Sequence, residues 1–341
     1  MSRSCASMRS RRSGGLRSRR PPGKQRGVAL IMAVLIVALA TMLAAEVGFR
    51  GYLDQRRTAN MFSLDQSFEI ALGGEAWASD ALRRDKMQSS KQDDFTEEWA
   101  TPIPPIPLED VGGEFEGQLE DLQGRFNLNS LVSFDNAGIG QVNQPAVERF
   151  QRLLEILELE PKWASLIADW IDSDNNPGFP DGAEDPVYTN LQPAYRTANM
   201  PITRASELLA LPEFGIERYR RLAPYVTALP SDAKINLCTA SPELLDALVG
   251  GSRQFTLARE STKQSRMQRC FPNKQDFEPS LSGLPPDQRQ AVQDIIDESS
   301  DYFLATIWVT LGTQRFTLYS LLYRSDGANQ VRPILRSYGT L

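Results

Sequence analysis

Between Asp169 and Asp185, seventeen residues carry six carboxylates. In DWIDSDNNPGFPDGAEDPVYTN these are Asp169, Asp172, Asp174, Asp181, Glu184 and Asp185, set among Asn175, Asn176, Gly178, Gly182 and three prolines that impose irregular backbone. Like charges at this density repel unless solvent screens them or a cation bridges them. Ca²⁺ takes about six to eight oxygen ligands from carboxylates, Asn side chains and main-chain carbonyls. With no histidine or free thiol nearby, the donors favour Ca²⁺ or Mg²⁺ over zinc. Asp172, Asp174 and Asn176 follow the start of an EF-hand loop, but Pro177 stands where its turning glycine belongs and the bidentate Glu is misplaced. Three readings stay open: a bound hard dication, a solvated acidic loop, and two carboxylates serving as acid and base. For the last, the sequence supplies no substrate site.

Composition removes other chemistry. The 341 residues contain no histidine, which excludes Ser-His-Asp and Cys-His catalysis and His-ligated zinc. The net charge of −6 is uneven: residues 1–27 hold eight Arg and one Lys with no acid. Removing those nine from 37 leaves 28 positive charges against 43 acids, so residues 28–341 carry −15. Such a body repels nucleic acid and attracts cations.

The elements that must carry the carboxylate loop begin with a rod. From Val28 to Ala45 there are eighteen uncharged residues, mostly Val, Leu, Ile, Met and Ala. As a helix they rise about 27 Å, close to the ~30 Å hydrocarbon core of a bilayer. The basic flank marks the cytoplasmic side, which puts the acidic bulk outside the cytoplasm. Three readings compete: a signal peptide cut after Ala44-Ala45, a plain signal anchor, and a leader cut at Gly27–Val28 that leaves the apolar helix on the mature chain. Residues 1–23 have a disordered composition, and Met8 is an alternative start. Cys238 and Cys270, both in the exported part, suggest one disulfide closing a loop of about 30 residues; two buried thiols are the alternative.

Beyond the rod, Met61, Leu64, Phe68, Ala71, Ala78 and Leu82 recur at helical spacing and predict that the helix continues to about residue 85, with Gly48, Gly51 and Gly73-Gly74 as candidate bends. Residues 86–113 read as a polar, proline-rich connection. Phe115, Gly117 and Leu119 alternate with Glu114, Glu116, Gln118 and Glu120, a strand with one acidic face. Helical patterns follow over 145–159, 162–171, 203–211 (with Thr203 as N-cap), 216–226, 241–249 and 286–297. Phe303, Ala305, Ile307, Val309 and Leu311 then share one face of a strand. A second strand follows Gly312-Thr313-Gln314 and a third follows the Asp326-Gly327 turn signal, with Pro333 marking an edge. One early strand and three late ones imply an α+β fold: a single antiparallel sheet interrupted by a helical insertion.

Several blocks carry a family resemblance. The basic segment ending at Gly27, the apolar run after it, YLDQRRTAN…SFEIALGGEAWA, DLQGRFNLNSL and the carboxylate loop together resemble protein K of the type II secretion system, a minor pseudopilin. The resemblance runs from about Lys24 to the end of the chain. It implies a pilin-like fold: a long N-terminal transmembrane helix (28–85) packed on a small antiparallel sheet (86–143 and 299–341), with a large inserted α-helical domain (144–298) carrying the loop 169–190. It also implies a leader, 1–27, cut between Gly27 and Val28 by prepilin peptidase, with methylation of the new N-terminus. Most pilins carry Glu at the fifth mature position; here that residue is Met32, a departure typical of protein K. Calcium is implied at the loop, with Asp172, Asp174, Asp181, Glu184 and Asp185 as the expected ligands.

The function so implied is structural and not enzymatic: a subunit that forms or initiates the tip of a periplasmic pseudopilus driving export of folded proteins across the outer membrane. Its partners would be other minor pseudopilins, the major pseudopilin, prepilin peptidase and the inner-membrane secretion platform, in a single-pass inner-membrane protein with a periplasmic head. Two other classes compete. INLCTASPELLDALVGG and TRASELLALPEFGIERYRRL resemble helix-hairpin-helix elements, which suggests a membrane-anchored nucleic-acid binder. Neither is ringed by clustered Lys or Arg. A membrane-anchored hydrolase is the third class, and it lacks a nucleophile motif.

Overall fold

The computed structural model describes residues 26–88, 91–135, 137–325 and 330–339. Most of the leader, with Cys5 and Met8, and the Asp326-Gly327 turn signal lie outside them. Helix α1 is unbroken over Arg26–Met87. The chain divides into one unit ending at Phe62 and a second running from Ser63 to Leu341. In the first unit the apolar residues are bare: Leu30, Ile36 and Met42 are 67%, 65% and 69% exposed. This stretch supplies an 18-residue window of mean hydropathy 2.8, long and apolar enough to cross a membrane.

The second unit holds a five-stranded antiparallel sheet: β1 (Ile103–Leu108), β2 (Gly113–Asp121), β3 (Tyr302–Leu311), β4 (Gln314–Arg324) and β5 (Val331–Tyr338), in that spatial order. Alternation puts Phe303, Ala305, Ile307, Val309 and Leu311 on one face, where they pack with Ala71, Ala78 and Leu82 of α1. Register is fixed by pairs such as Phe115–Val309 and Leu119–Ala305. Burying one such side chain is worth about 1.5–3 kcal/mol. Gly74 marks a close approach: a Cβ there would come within 2.4 Å of the Phe115 ring. Met61 and Leu64, expected on the apolar stripe, are 66% and 50% exposed. The stripe instead includes a buried charge: Glu75 accepts from Nε and Nη2 of Arg336 at 2.7 Å each and from Ser320 Oγ at 2.6 Å.

The proline-rich connection contains β1, because an edge strand tolerates prolines whose missing N–H would face solvent. Phe126, Leu128, Leu131 and Val132, expected with the sheet, belong to the core of the helical part. That part begins where the chain leaves β2, and Phe126 pairs in parallel with Val226.

The helical part contains α2 (Gln144–Ile156), α3 (Trp163–Ile171), α4 (Gly215–Leu222), α5 (Pro242–Leu248), α6 (Arg259–Arg266) and α7 (Pro286–Gln293). Helix α2 ends before the predicted residue 159, and Glu158 takes a left-handed φ of 58°. Helix α7 stops short of residue 297 because Ile296 and Asp297 pair with Ile235 and Asn236. The predicted helix over 203–211 is a 3₁₀ turn, Ala205–Ala210, and Thr203 is no N-cap. Instead Glu207 accepts from the Thr203 amide and hydroxyl, both at 2.7 Å. Helix α6, RESTKQSR, carries no apolar period to mark it in the sequence.

A buried polar hub joins sheet and helices. Asn236 Nδ2 donates to Asp93 O, Asp121 Oδ2 and Ser300 Oγ, each at 2.9 Å. Arg324 completes it, reaching Asp93 at 2.5 Å and Asp85 at 2.8 Å.

Candidate metal centre

The sequence WASLIADWI forms α3 because its apolar residues repeat at helical spacing, with Trp163, Ile167 and Ile171 buried in the core. Asp169 lies in the last turn and Asp172 is the C-cap. Both carboxylates therefore sit at the negative end of the helix dipole, where anions are disfavoured.

The loop after α3 returns to the same place. Carboxylate oxygens of Asp169, Asp172 and Glu184 lie within 4.8 Å of one another, and the three residues are 1%, 3% and 1% exposed. Asp169 organises the return: its Oδ2 accepts from the Gly178 amide at 2.8 Å. Gly182 is packed so tightly that a Cβ would come within 2.2 Å of Asp169 Oδ2 and of the Gly178 nitrogen. The glycines are needed for contact here.

Satisfaction of these oxygens is incomplete. Among the described residues, Asp172 Oδ1 and both oxygens of Glu184 are buried and accept no hydrogen bond. Burial, and then the neighbouring carboxylates, push Asp172 up to about 7. The same causes push Glu184 up to about 7. Burial also raises Asp169, against its backbone donors. Orphaned buried carboxylate oxygens are costly, and a cation removes the cost.

Of the five expected ligands, Asp172 and Glu184 enter this group. Asp174 is exposed beside it, with Oδ1 accepting from the Asn176 amide at 2.6 Å, and its charge raises Asp172. Asp181 is exposed and outside the group. Asp185 turns to Thr197, whose amide and hydroxyl donate to it at 3.1 Å, and to Arg196 at 3.7 Å. Asp169 takes the third place, a position expected only as one of six clustered acids. Asn199, not foreseen, holds a left-handed φ of 45° and donates from Nδ2 to Asp174 O at 3.0 Å, which leaves a buried Oδ1 with no donor. No signal short of the fold could have found it, fourteen residues beyond Asp185.

A second acidic trio shows what neutralisation looks like. Asp85, Asp93 and Glu97 also approach within 4.8 Å, but Arg324 pairs with the first two, and Glu97 accepts from Trp99 Nε1 at 2.6 Å. No such cation faces Asp169, Asp172 and Glu184 among the described residues. Their all-oxygen donor set fits a hard divalent ion.

The family description for type II secretion system (T2SS), protein K matches residues 124–231. A Pseudomonas aeruginosa protein named type II secretion system protein K is 37% identical over 92% of this chain and 93% of its own. The chain belongs to the protein K family of the type II secretion system. It is a minor pseudopilin of that system. A Klebsiella pneumoniae protein K is 33% identical over 93% of this chain and 97% of its own. The fold matches a solved structure of the GspK-GspI-GspJ complex from the enterotoxigenic Escherichia coli type 2 secretion system. The TM-score is 0.71 at 23% identity, covering 84% of this chain and 100% of that one. The pilin-like α+β fold expected of the family is thus the fold observed, and the apolar segment fits an inner-membrane anchor. The nucleic-acid alternative is not favoured. Beyond its hairpin, Gly250-Gly251 after α5, the next free amides, those of Phe255 and Thr256, are taken by the Asp246 side chain at 2.8 Å each.

Gly27 and Val28 lie in the first turn of α1, and Met32 projects from the bare rod, 62% exposed. Cys238 and Cys270 form a disulfide, with Cα atoms 4.7 Å apart.

Proposed function

We propose that this minor pseudopilin is cut between Gly27 and Val28 by prepilin peptidase, methylated, and placed at the tip of the periplasmic pseudopilus with its helical part kept in shape by calcium. The observation that carries the reading is the charge-free rod from Val28 to Ala45, with Met32 where most pilins hold Glu. In a low-dielectric helical bundle that Glu would pair with the N-terminal amine of the subunit ahead. A subunit without it packs by its apolar surface alone and needs no subunit beyond it. The large helical insertion suits the same position. The solved relative in complex with GspI and GspJ supports other minor pseudopilins as immediate partners. The major pseudopilin below and the inner-membrane secretion platform at the base are the further partners this position requires.

Asp169, Asp172 and Glu184 would hold the calcium, with Asp174 beside them. Bound there, calcium supplies positive charge and oxygen coordination. Asp169 keeps the loop closed through the Gly178 amide, and Glu184 and Asp172 face each other only while their charge is compensated. The role is architectural and includes no reaction.

The test is the intact mass of the protein recovered from membranes. A chain beginning at Val28 with one added methyl, co-purifying with other minor pseudopilins, is expected. A chain beginning at Met1 or after Ala45 contradicts the reading.

A further inference from the structure

Three arginines are buried among the described residues: Arg149, Arg266 and Arg324, at 6%, 8% and 2% exposure. Two are satisfied. Arg324 pairs with Asp85 and Asp93. Arg266 donates to Phe271 O and Ala240 O, both at 2.6 Å, and to Leu237 O at 3.2 Å. Arg149 is different: among the described residues it has no hydrogen bond, ion pair or aromatic partner. Burial pushes its guanidinium down to about 10, so it remains charged at neutral pH.

A second cation sits one turn further along α2. Arg152, also lowered by burial, donates Nε to Ala247 O at 3.0 Å, at the carboxyl end of α5, and its other nitrogens bond nothing else among the described residues. Gly251 lies against its stem, where a Cβ would stand 4.0 Å from Arg152 Cδ. The acids nearby, Glu148 and Glu155, are exposed; they attract the arginines through space, Glu148 both and Glu155 Arg152, but among the described residues they form no direct ion pair with either. Two like charges stand one turn apart, and the buried one has no hydrogen-bonded acceptor, so an anion that bonded it directly would stabilise it.

We propose that Arg149 and Arg152, one turn apart on α2, form a binding site for a small tetrahedral oxyanion such as sulfate or inorganic phosphate. The planar forks of two arginines match paired oxygens of such an ion. None of Arg149's nitrogens is fully sealed, so an ion can reach it. At 6% exposure the opening is too small for a polymer, and the net −15 of residues 28–341 repels polyanions. The site is independent of the calcium reading, since it lies on α2 and uses none of the loop's residues.

Sulfate is the probe, because at millimolar concentration it precipitates calcium far less readily than phosphate does. The full chain in neutral detergent is titrated with sulfate at constant ionic strength, by calorimetry and by thermal melt. Wild type should show saturable binding with a rise in melting temperature of about 2 °C or more. Arg149→Met should weaken binding by about tenfold or more, leaving only the linear salting effect of sulfate. No saturable binding in wild type, or equal binding in Arg149→Met, overturns the proposal. If Arg149→Met does not fold, Arg152→Gln decides: weakened sulfate binding supports the site and unchanged binding overturns it.

Discussion

Asp172 and Glu184 bring carboxylate oxygens within 4.8 Å of each other in a buried group completed by Asp169, and three of their four oxygens accept no hydrogen bond. The arrangement holds a repulsion that a bound cation would relieve. Chelation should therefore lower the melting temperature, and calcium at about one hundred times its Kd should restore about 2.7 kcal/mol. Glu184→Gln should abolish the response while raising the stability of the metal-free protein.

The pH dependence of the metal-free protein follows from the same pair. Asp172 and Glu184 are raised from ordinary carboxylate values to about 7. Between about pH 4 and 7 the folded state then binds more protons than the unfolded chain, so stability falls as pH rises. In chelator the melting temperature should drop from pH 5 to pH 8, by the equivalent of on the order of 3 kcal/mol. With calcium in excess the drop should shrink or reverse, because the metal binds the ionised form. Melts at both pH values with and without calcium check this.

Gly182→Ala should cost about 1–3 kcal/mol through overpacking, since its Cβ would meet Asp169 and the Gly178 backbone. It should also weaken calcium binding, unlike Gly73→Ala, whose Cβ meets nothing within 4 Å. Parallel calcium titrations of the two variants separate a local effect from a general one.

What the sequence revealed was set by periodicity. The five alternating residues Phe303 to Leu311 specified β3 and its buried face, and the charge-free run specified the rod. Strand β1 was hidden because Pro104, Pro105 and Pro107 remove the usual strand signal, and only pairing with β2 makes them a strand. The carboxylate loop announced itself by composition, but composition cannot say which acids converge. Asp185 was drawn away by Thr197, and Asp169 was drawn in by the Gly178 amide. Arg149 gave no signal, since an arginine on an amphipathic helix reads as a solvated residue.

Arg324→Ala should destabilise the protein by about 3–5 kcal/mol, because it strands the buried Asp93 and the half-buried Asp85. Denaturant unfolding measures this, and an effect below about 1 kcal/mol would show that the hub does not need its cation.

Cys238→Ser should cost about 3 kcal/mol in the loop-entropy model, for a bridge spanning 32 residues. Arg266, which ties Leu237 and Ala240 to Phe271 beside the bridge, should keep the fold intact. Circular dichroism of the variant should show native helix content with an earlier thermal transition.

The most direct measurement is the calcium content and affinity of the purified full chain, by elemental analysis and calorimetric titration. Wild type should carry bound calcium that chelation removes, and a double variant Asp172→Asn, Glu184→Gln should carry none. A wild-type protein that binds no calcium, or a double variant that binds it equally well, would contradict the account.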